Sequence, residues 1–288
     1  MRIALGTVQF GISYGIANQT GKIPQETVKS MLDLAAANGI EVLDTAIAYG
    51  DSEAVLGRLG VKDFRVVTKL PAVPSGCTDV GNWVHEQVDA SRHRLGIETL
   101  YGLLLHRPDQ LLGPFGKVLY QSLGELKEEG KTQKIGISIY SPKELDLLVP
   151  KFQFDLIQAP FNLIDRRLQK SGWLNRLKEQ GVEVHTRSSF LQGLILIPYS
   201  SFPKKFEQWG SLWKLKDERL SSFRISPLQA CMSFSLSISE IDHVVIGADN
   251  LEQLKQIIDA SKKSVPDIFS DLDFEDEKLI NPSHWDSL

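Results

Sequence analysis

The sequence is poor in features that would link it to membranes, nucleic acids or disulfide chemistry. Among 288 residues it has two cysteines, Cys77 and Cys231, and neither has neighbours at metal-binding spacing. Lys and Arg number 32 against 36 Asp and Glu, a formal net charge of −4, so no basic surface predicts nucleic-acid binding. No apolar run approaches the roughly 18 residues of a membrane span, and the start MRIALGTVQFG lacks a signal-like run. These absences predict a cytoplasmic, reduced protein with no nucleic-acid or membrane partner, and they leave its oligomeric state open.

Short apolar segments alternate with helical patterns along the whole chain. A continuous apolar run is typical of a strand that is buried on both faces, as strands of parallel sheets are. Eight such strands are predicted, at residues 3–5, 42–43, 64–70, 99–106, 134–138, 155–159, 182–186 and 243–246. Strict alternation of eight strands with eight helices predicts an α/β protein, a single (β/α)8 barrel over residues 1–288.

Two segments do not follow the alternation. Residues 188–222 contain Pro198 and Pro203 without a sustained period, and we expect a long loop over the active-site mouth. Its tryptophans, Trp209 and Trp213, either line the pocket or pack within the loop. The C-terminal tail, residues 264–288, is expected to fold back over the barrel.

Ionisable side chains stand at the ends of three consecutive strands. Asp44 follows the second strand and Tyr49 comes five residues later, Lys69 lies in the third strand, and His106 ends the fourth. Taken singly, Asp44, Tyr49 and His106 are more often a turn residue, a wall aromatic and a satisfied polar group, and Lys69 is equally well a structural ion pair. Together they predict an active site, because a lysine in an apolar strand needs a carboxylate partner. An ammonium close to a phenol also favours the phenolate, as a general acid for a carbonyl oxygen requires.

The same stretch carries a motif. The pattern DTAxxYGxSExxLG is complete at residues 44–57, and through it the chain resembles the aldo-keto reductases over nearly its whole length. The resemblance implies a barrel with the catalytic residues Asp44, Tyr49, Lys69 and His106. It also implies hydride transfer from a nicotinamide cofactor to an aldehyde or ketone, such as a sugar or another polar carbonyl compound, with Tyr49 as the proton donor. In the helix that follows, Asp51 or Ser52 is able to cap the first turn.

The resemblance also implies a set of cofactor contacts. These are Gly6, Thr7, Asp44, Ser138, Gln158, Arg187, Ser188, Gly247, Ala248 and Gln253. Three places depart from the family pattern: Ile139 replaces a common Asn, Arg187 replaces an aromatic, and the last loop has Gly247, Ala248 and Gln253 where Lys and Arg often bind a 2′-phosphate. We expect NADP(H), with NAD(H) as the second choice.

Two other classes of function compete with a reductase. A regulatory subunit on the same fold, similar to the potassium-channel β subunits, would bind NADP(H) and show little turnover; the complete set of four residues argues against it. A metal-dependent lyase or hydrolase would use Asp44 and His106 as ligands. The ammonium of Lys69 argues against that class, because it would repel a divalent cation beside Asp44, and no metal is expected.

Overall fold

The computed structural model of the protein describes residues 1–16, 18, 21–265 and 269–288. Eight parallel strands form a closed barrel in chain order, and the first strand pairs with the last. The strands are β1 Ile3–Gly6, β2 Val42–Asp44, β3 Arg65–Leu70, β4 Leu100–Leu105, β5 Thr132–Ser138, β6 Leu156–Pro160, β7 Glu183–Arg187 and β8 His243–Ile246. The predicted (β/α)8 barrel is confirmed.

Helices cover the outside of the barrel. The α-helices are α1 Val8–Gly11, α2 Gln25–Ala37, α3 Ser52–Leu59, α4 Val80–Leu95, α5 Gly116–Glu128, α6 Lys143–Leu148, α7 Arg167–Lys170, α8 Trp173–Glu179, α9 Gly210–Phe223, α10 Pro227–Ser237, α11 Leu251–Ser261 and α12 Glu277–Ile280. Short 3-10 turns lie at Pro108–Leu112, Leu191–Leu196, Tyr199–Ser201, Lys204–Trp209, Ser270–Leu272 and Pro282–Ser287. Nowhere in these described residues is there a helix with the length and apolarity needed to cross a bilayer.

The segment 188–222, expected to be irregular, includes most of helix α9. The buried positions of this helix, Leu212, Trp213, Lys216 and Leu220, follow a helical spacing, but one of them is a lysine. Lys216 is fully buried and donates hydrogen bonds to the carbonyl oxygens of Ile195 (3.1 Å) and Ile197 (2.8 Å). A buried lysine interrupts the apolar period, so the sequence pattern failed to indicate a helix.

Both tryptophans of this segment pack away from the central cavity. Trp213 is fully buried against Phe202, with ring centroids 4.8 Å apart. Trp209 donates a hydrogen bond from Nε1 to Asp276 Oδ2 (2.9 Å). Of the two placements left open by the sequence, packing within the loop and against the tail is the one observed.

A polar cluster lies at the amino ends of the strands. Glu183 accepts hydrogen bonds from the Tyr101 hydroxyl (2.8 Å), from Lys134 and from His185 Nε2 (2.6 Å). Burial alone would raise the pKa of Glu183, but the hydrogen bonds from His185 and Lys134 outweigh it and lower the pKa. His243 lies edge-on to His185, with ring centroids 4.9 Å apart. This cluster fills the end of the barrel that usually serves stability in this architecture.

Candidate active site

The alternation of side chains along the strands determines which residues line the mouth of the barrel. Side chains two apart on a strand lie on the same face. The barrel interior holds an apolar layer of Ala4, Val42, Val67, Leu104, Leu156 and Val245. Two residues further along each chain segment come Gly6, Asp44, Lys69, His106, Gln158 and Gly247, and all six line one cavity of about 680 Å³. That volume is within the usual range for a small-molecule site.

A buried ion pair joins the second and third strands. Lys69 is 1% exposed and Asp44 4%, and Lys69 Nζ lies 2.7 Å from Asp44 Oδ2. The other carboxylate oxygen accepts a hydrogen bond from Gln158 Nε2 (2.6 Å), and Lys69 also donates to the Thr45 carbonyl oxygen (2.9 Å). Burial opposes the charge on Lys69, but Asp44 and Tyr49 outweigh it and raise the pKa of Lys69 above its ordinary value. The lysine is therefore held in its charged form.

Tyr49 and His106 complete the group above this pair. Lys69 Nζ lies 5.2 Å from the centroid of the Tyr49 ring, and the rings of Tyr49 and His106 meet edge-on with centroids 6.0 Å apart. Burial, together with the positive charges of Lys69 and Arg187, lowers the pKa of His106 to about 4. The imidazole is consequently neutral at ordinary pH, and the cavity brings together the four residues that the sequence singled out.

The turn that presents Tyr49 is fixed by hydrogen bonds and by close backbone contacts. Ser52 donates from its hydroxyl to the Thr7 carbonyl oxygen (2.9 Å), which ties the start of α3 to the end of β1. Gly50 has a φ of +58°, and a Cβ there would lie 2.8 Å from the Gly11 carbonyl oxygen. A side chain at this position would therefore displace the turn.

Asp51 occupies the N-cap position of this helix, as expected, but the expected capping hydrogen bond is absent. Asp51 precedes α3 but makes no side-chain capping hydrogen bond; its carboxylate pairs with Lys22 Nζ at 2.5 Å. The hydroxyl of Ser52 is directed to Thr7, as described above. Each side chain therefore binds a partner that is distant in sequence and does not make the local capping bond.

The implied cofactor contacts fall in the same cavity with one exception. Its lining includes Gly6, Thr7, Asp44, Ser138, Gln158, Arg187, Ser188, Gly247 and Gln253. Ala248 does not line it; its side chain is 2% exposed and belongs to the hydrophobic core. The resemblance implied Ala248 because it stands in the last loop, where the family often binds a 2′-phosphate, but its side chain packs in the core.

Arg187 is anchored on the wall of the cavity by backbone and aromatic contacts. It donates a hydrogen bond from Nη2 to the Ile139 carbonyl oxygen (2.9 Å), and its guanidinium lies 4.5 Å from the centroid of the Tyr140 ring. Among the described residues, no carboxylate lies within 4.0 Å of this guanidinium. Its positive charge therefore faces the cavity without a neutralising partner.

Sequence reasoning missed several residues of the lining. Gln9, Tyr140 and Asp249 belong to the cavity. A two-residue period points to Tyr140 after Ser138 and to Asp249 after Gly247, so extending the strand period beyond the ends of the strands would have found these two. Gln9 lies in helix α1, where that period does not apply.

Two polar atoms in the cavity wall lack a partner among the described residues. They are Gln9 Oε1 and Ser189 Oγ, in side chains 8% and 2% exposed. Buried polar atoms are normally hydrogen-bonded. The amide oxygen of Gln9 needs a hydrogen-bond donor, and the hydroxyl of Ser189 can donate or accept. A ligand that carries hydroxyl groups would suit both atoms.

The carboxylate at the mouth is already occupied by hydrogen bonds. Asp44 uses both carboxylate oxygens in hydrogen bonds to Lys69 and Gln158. Within the described part of the chain, the cluster with metal-binding geometry is Glu183, His185 and His243, at the opposite end of the barrel. Its Glu183 already binds the ammonium of Lys134. The donor sets do not support the metal-dependent alternative at Asp44 and His106.

The comparisons with known proteins agree on one family. The model of the Aldo/keto reductase family matches residues 2–271. L-glyceraldehyde 3-phosphate reductase of Escherichia coli (strain K12) is 26% identical over 289 residues, which cover 86% of this chain and 83% of that protein. Aldo-keto reductase str7 of Strobilurus tenacellus is 31% identical over 185 residues, 62% of this chain and 54% of that protein, so this match spans about half of the relative.

Solved structures share the fold. The aldo-keto reductase AKR11C1 from Bacillus halodurans (holo form) superposes with a TM-score of 0.73 at 21% identity, covering 94% of this chain and 90% of that one. At this level of identity the likeness establishes the barrel architecture alone.

Proposed function

Because this chain belongs to the aldo/keto reductase family, we propose that it reduces the carbonyl group of an aldehyde or ketone, such as a sugar or another polar carbonyl compound, to an alcohol. A nicotinamide dinucleotide, NADP(H) or NAD(H), supplies the hydride when it is bound. The observation that carries the proposal is the buried Asp44–Lys69 pair with Tyr49 and His106 beside it in one cavity.

The cavity offers suitable groups for a dinucleotide. Ser138 donates a hydrogen bond to Gln158 Oε1 (3.1 Å), and this hydroxyl and amide could bind a carboxamide. The hydroxyls of Ser188 and Ser189 could bind phosphate oxygens. Gly6 and Gly247 line the cavity at two neighbouring strand ends. These residues fit the cofactor that the family uses, and they are our proposed contacts.

Tyr49 is the proposed proton donor. Its hydroxyl would give a proton to the carbonyl oxygen as that oxygen gains negative charge, and the phenolate left behind would be stabilised by Lys69. Asp44 holds Lys69 in place through the 2.7 Å contact. His106, neutral because its pKa is lowered to about 4, would donate a hydrogen bond to the same oxygen.

Arg187 supports a polar or anionic substrate. Its charge has no carboxylate partner within 4.0 Å among the described residues and lies in the same cavity as Tyr49. A phosphate or carboxylate on the substrate would gain charge-assisted hydrogen bonds from this guanidinium. The relative from Escherichia coli is named for a phosphorylated aldehyde, so phosphorylated aldehydes belong in the first substrate screen beside unphosphorylated aldehydes, ketoses and keto-sugars.

The test begins with binding and proceeds to turnover. Purified protein is titrated with NADPH and separately with NADH, following the tryptophan fluorescence and the emission of the cofactor. Binding in the micromolar range supports the proposal, and binding of neither dinucleotide rejects it. A regulatory role would instead be indicated by tight binding, turnover far below typical enzyme values of about 10 per second, and a stable protein partner.

A further inference from the structure

The charged side chains that line the cavity are unevenly distributed over its walls. Its cationic side chains among the described residues are Lys69, which pairs with Asp44 beside Tyr49, and Arg187. The loop after β8 and the first turns of α11, which the structure describes in full, contribute no cation to the lining. The polar lining groups there and in the segment after β1 are a carboxylate and neutral amides: Asp249, Gln253, Gln256, Gln9 and Asn18.

Asp249 is fixed in this wall by hydrogen bonds. Its Oδ1 accepts from Asn18 Nδ2 at 3.0 Å, and its backbone N–H donates to Gln253 Oε1 at 2.8 Å. Next to it, Gly247 lies so close to Gln9 that an added Cβ would be 2.7 Å from Gln9 Nε2. The carboxylate is thus held at a defined position on the cavity surface.

A dinucleotide could span this cavity. With the nicotinamide near Tyr49, as hydride transfer would require, the adenosine half would be able to reach the loop after β8, whose Asp249 and Gln253 line the same cavity. A carboxylate at the ribose accepts hydrogen bonds from the hydroxyl groups of NAD(H). A 2′-phosphate at the same place would meet a like charge and would lack the Arg or Lys contacts that such groups normally receive.

From this distribution of charge we infer that the protein selects NAD(H) over NADP(H), and that Asp249 is the residue that determines the selection. The inference rests on the proposed function, because it needs a nicotinamide dinucleotide in the cavity. It differs from the sequence-based expectation of NADP(H), which considered Gly247, Ala248 and Gln253 but not the acid next to them.

The test compares dissociation constants for NADH and NADPH in the wild-type protein, in Asp249→Asn and in Asp259→Asn. Asparagine keeps an oxygen that can accept the bond from Asn18 but removes the charge. Asp259 is an exposed acid of α11 paired with Lys262 (3.3 Å) and absent from the cavity lining, so it controls for a general change in charge. We expect the wild type to bind NADH about tenfold more tightly than NADPH. The reason is the repulsion between Asp249 and the 2′-phosphate of NADPH across several ångströms of partly hydrated space.

The variants are expected to change this preference in different ways. Asp249→Asn should bring the two constants close together, mainly by tighter binding of NADPH, while Asp259→Asn should keep the wild-type ratio. Added salt should reduce the preference of the wild type, because screening weakens repulsion.

Each other outcome has a distinct meaning. If the wild type binds NADPH as tightly as NADH or more tightly, the inference is overturned and the proposed function stands. If it binds neither, both are overturned. If Asp249→Asn weakens both dinucleotides equally, Asp249 has a structural role and the assignment of selectivity to it is wrong.

Discussion

Replacing Lys69 with methionine would leave Asp44 charged and buried without its cation. The two side chains are 1% and 6% exposed, and their charged atoms are 2.7 Å apart. Removing one partner from such a pair typically costs about 3–5 kcal/mol, because the remaining charge stays out of water. Urea unfolding of Lys69→Met should show this loss. The double variant Asp44→Asn/Lys69→Met should recover most of it, because it buries no charge.

The same variant tests the proposed chemistry. Lys69 Nζ lies 5.2 Å from the centroid of the Tyr49 ring. An ammonium this close to the ring would stabilise the negative charge that Tyr49 carries after it gives up its proton. We therefore expect the pH optimum of carbonyl reduction to move upward in Lys69→Met and the rate at neutral pH to fall.

The chain offers a matched control at the other end of the barrel. Lys134 also pairs with a carboxylate, that of Glu183, and lies 4.7 Å from the centroid of a tyrosine ring, that of Tyr101. Lys134→Met should reduce stability and leave the pH profile unchanged. An unchanged profile in Lys69→Met, or an equal shift in both variants, would refute the role assigned to Lys69.

Three further predictions concern Tyr49, His106 and Glu53. Tyr49→Phe should slow carbonyl reduction by about 10²–10⁴-fold while the cofactor dissociation constant stays the same. Tyr101→Phe is the control and should retain activity. If Tyr49→Phe kept full activity, Tyr49 would not be the acid. Since the pKa of His106 is lowered to about 4, its NMR signals should not titrate between pH 5 and 8. In the unfolded chain this histidine has its ordinary pKa of about 6.5, so it is protonated there before it is protonated in the folded protein. Its contribution to the free energy of unfolding should therefore fall as the pH decreases from about 6.5 toward 4, and acid unfolding would measure this. Glu53 is 2% exposed and accepts hydrogen bonds from the buried hydroxyls of Thr68 and Ser91, both at 2.7 Å. Glu53→Ala should reduce the free energy of unfolding by about 1–3 kcal/mol, because these hydroxyls lose their acceptor, without changing cofactor affinity.

The sequence was sufficient for the barrel and for the four residues beside its cavity. Apolar runs such as 65–70 and 100–105 mark strands that are buried on both faces. A barrel places the carboxyl ends of all its strands at one mouth, so Asp44, Lys69 and His106 had to lie near one another once the strands were assigned. Local pattern and global topology point to the same arrangement here.

The sequence was insufficient where a side chain is determined by a distant partner. Lys216 is buried because two carbonyl oxygens of a preceding turn accept its hydrogen bonds, and no local period predicts such a partner. Asp249 is positioned by Asn18, which is 231 residues away. Its place in the cavity therefore depends on the closure of the barrel between β1 and β8, and not on any motif near it.

The two ends of the barrel show why residue type alone does not make a catalytic site. Tyr101, Lys134, Glu183 and His185 repeat the chemical types of the group at the mouth, and they are also in contact. There, however, the Tyr101 hydroxyl donates a hydrogen bond to Glu183 (2.8 Å), and burial, the largest influence, acts with that carboxylate to raise the pKa of Tyr101. At the mouth, the carboxylate of Asp44 is occupied by Lys69 and Gln158, and Tyr49 faces a cavity large enough for a substrate. A tyrosine can act as an acid only where its proton is not already committed to a neighbouring carboxylate, and of these two groups only the one at the mouth meets that condition.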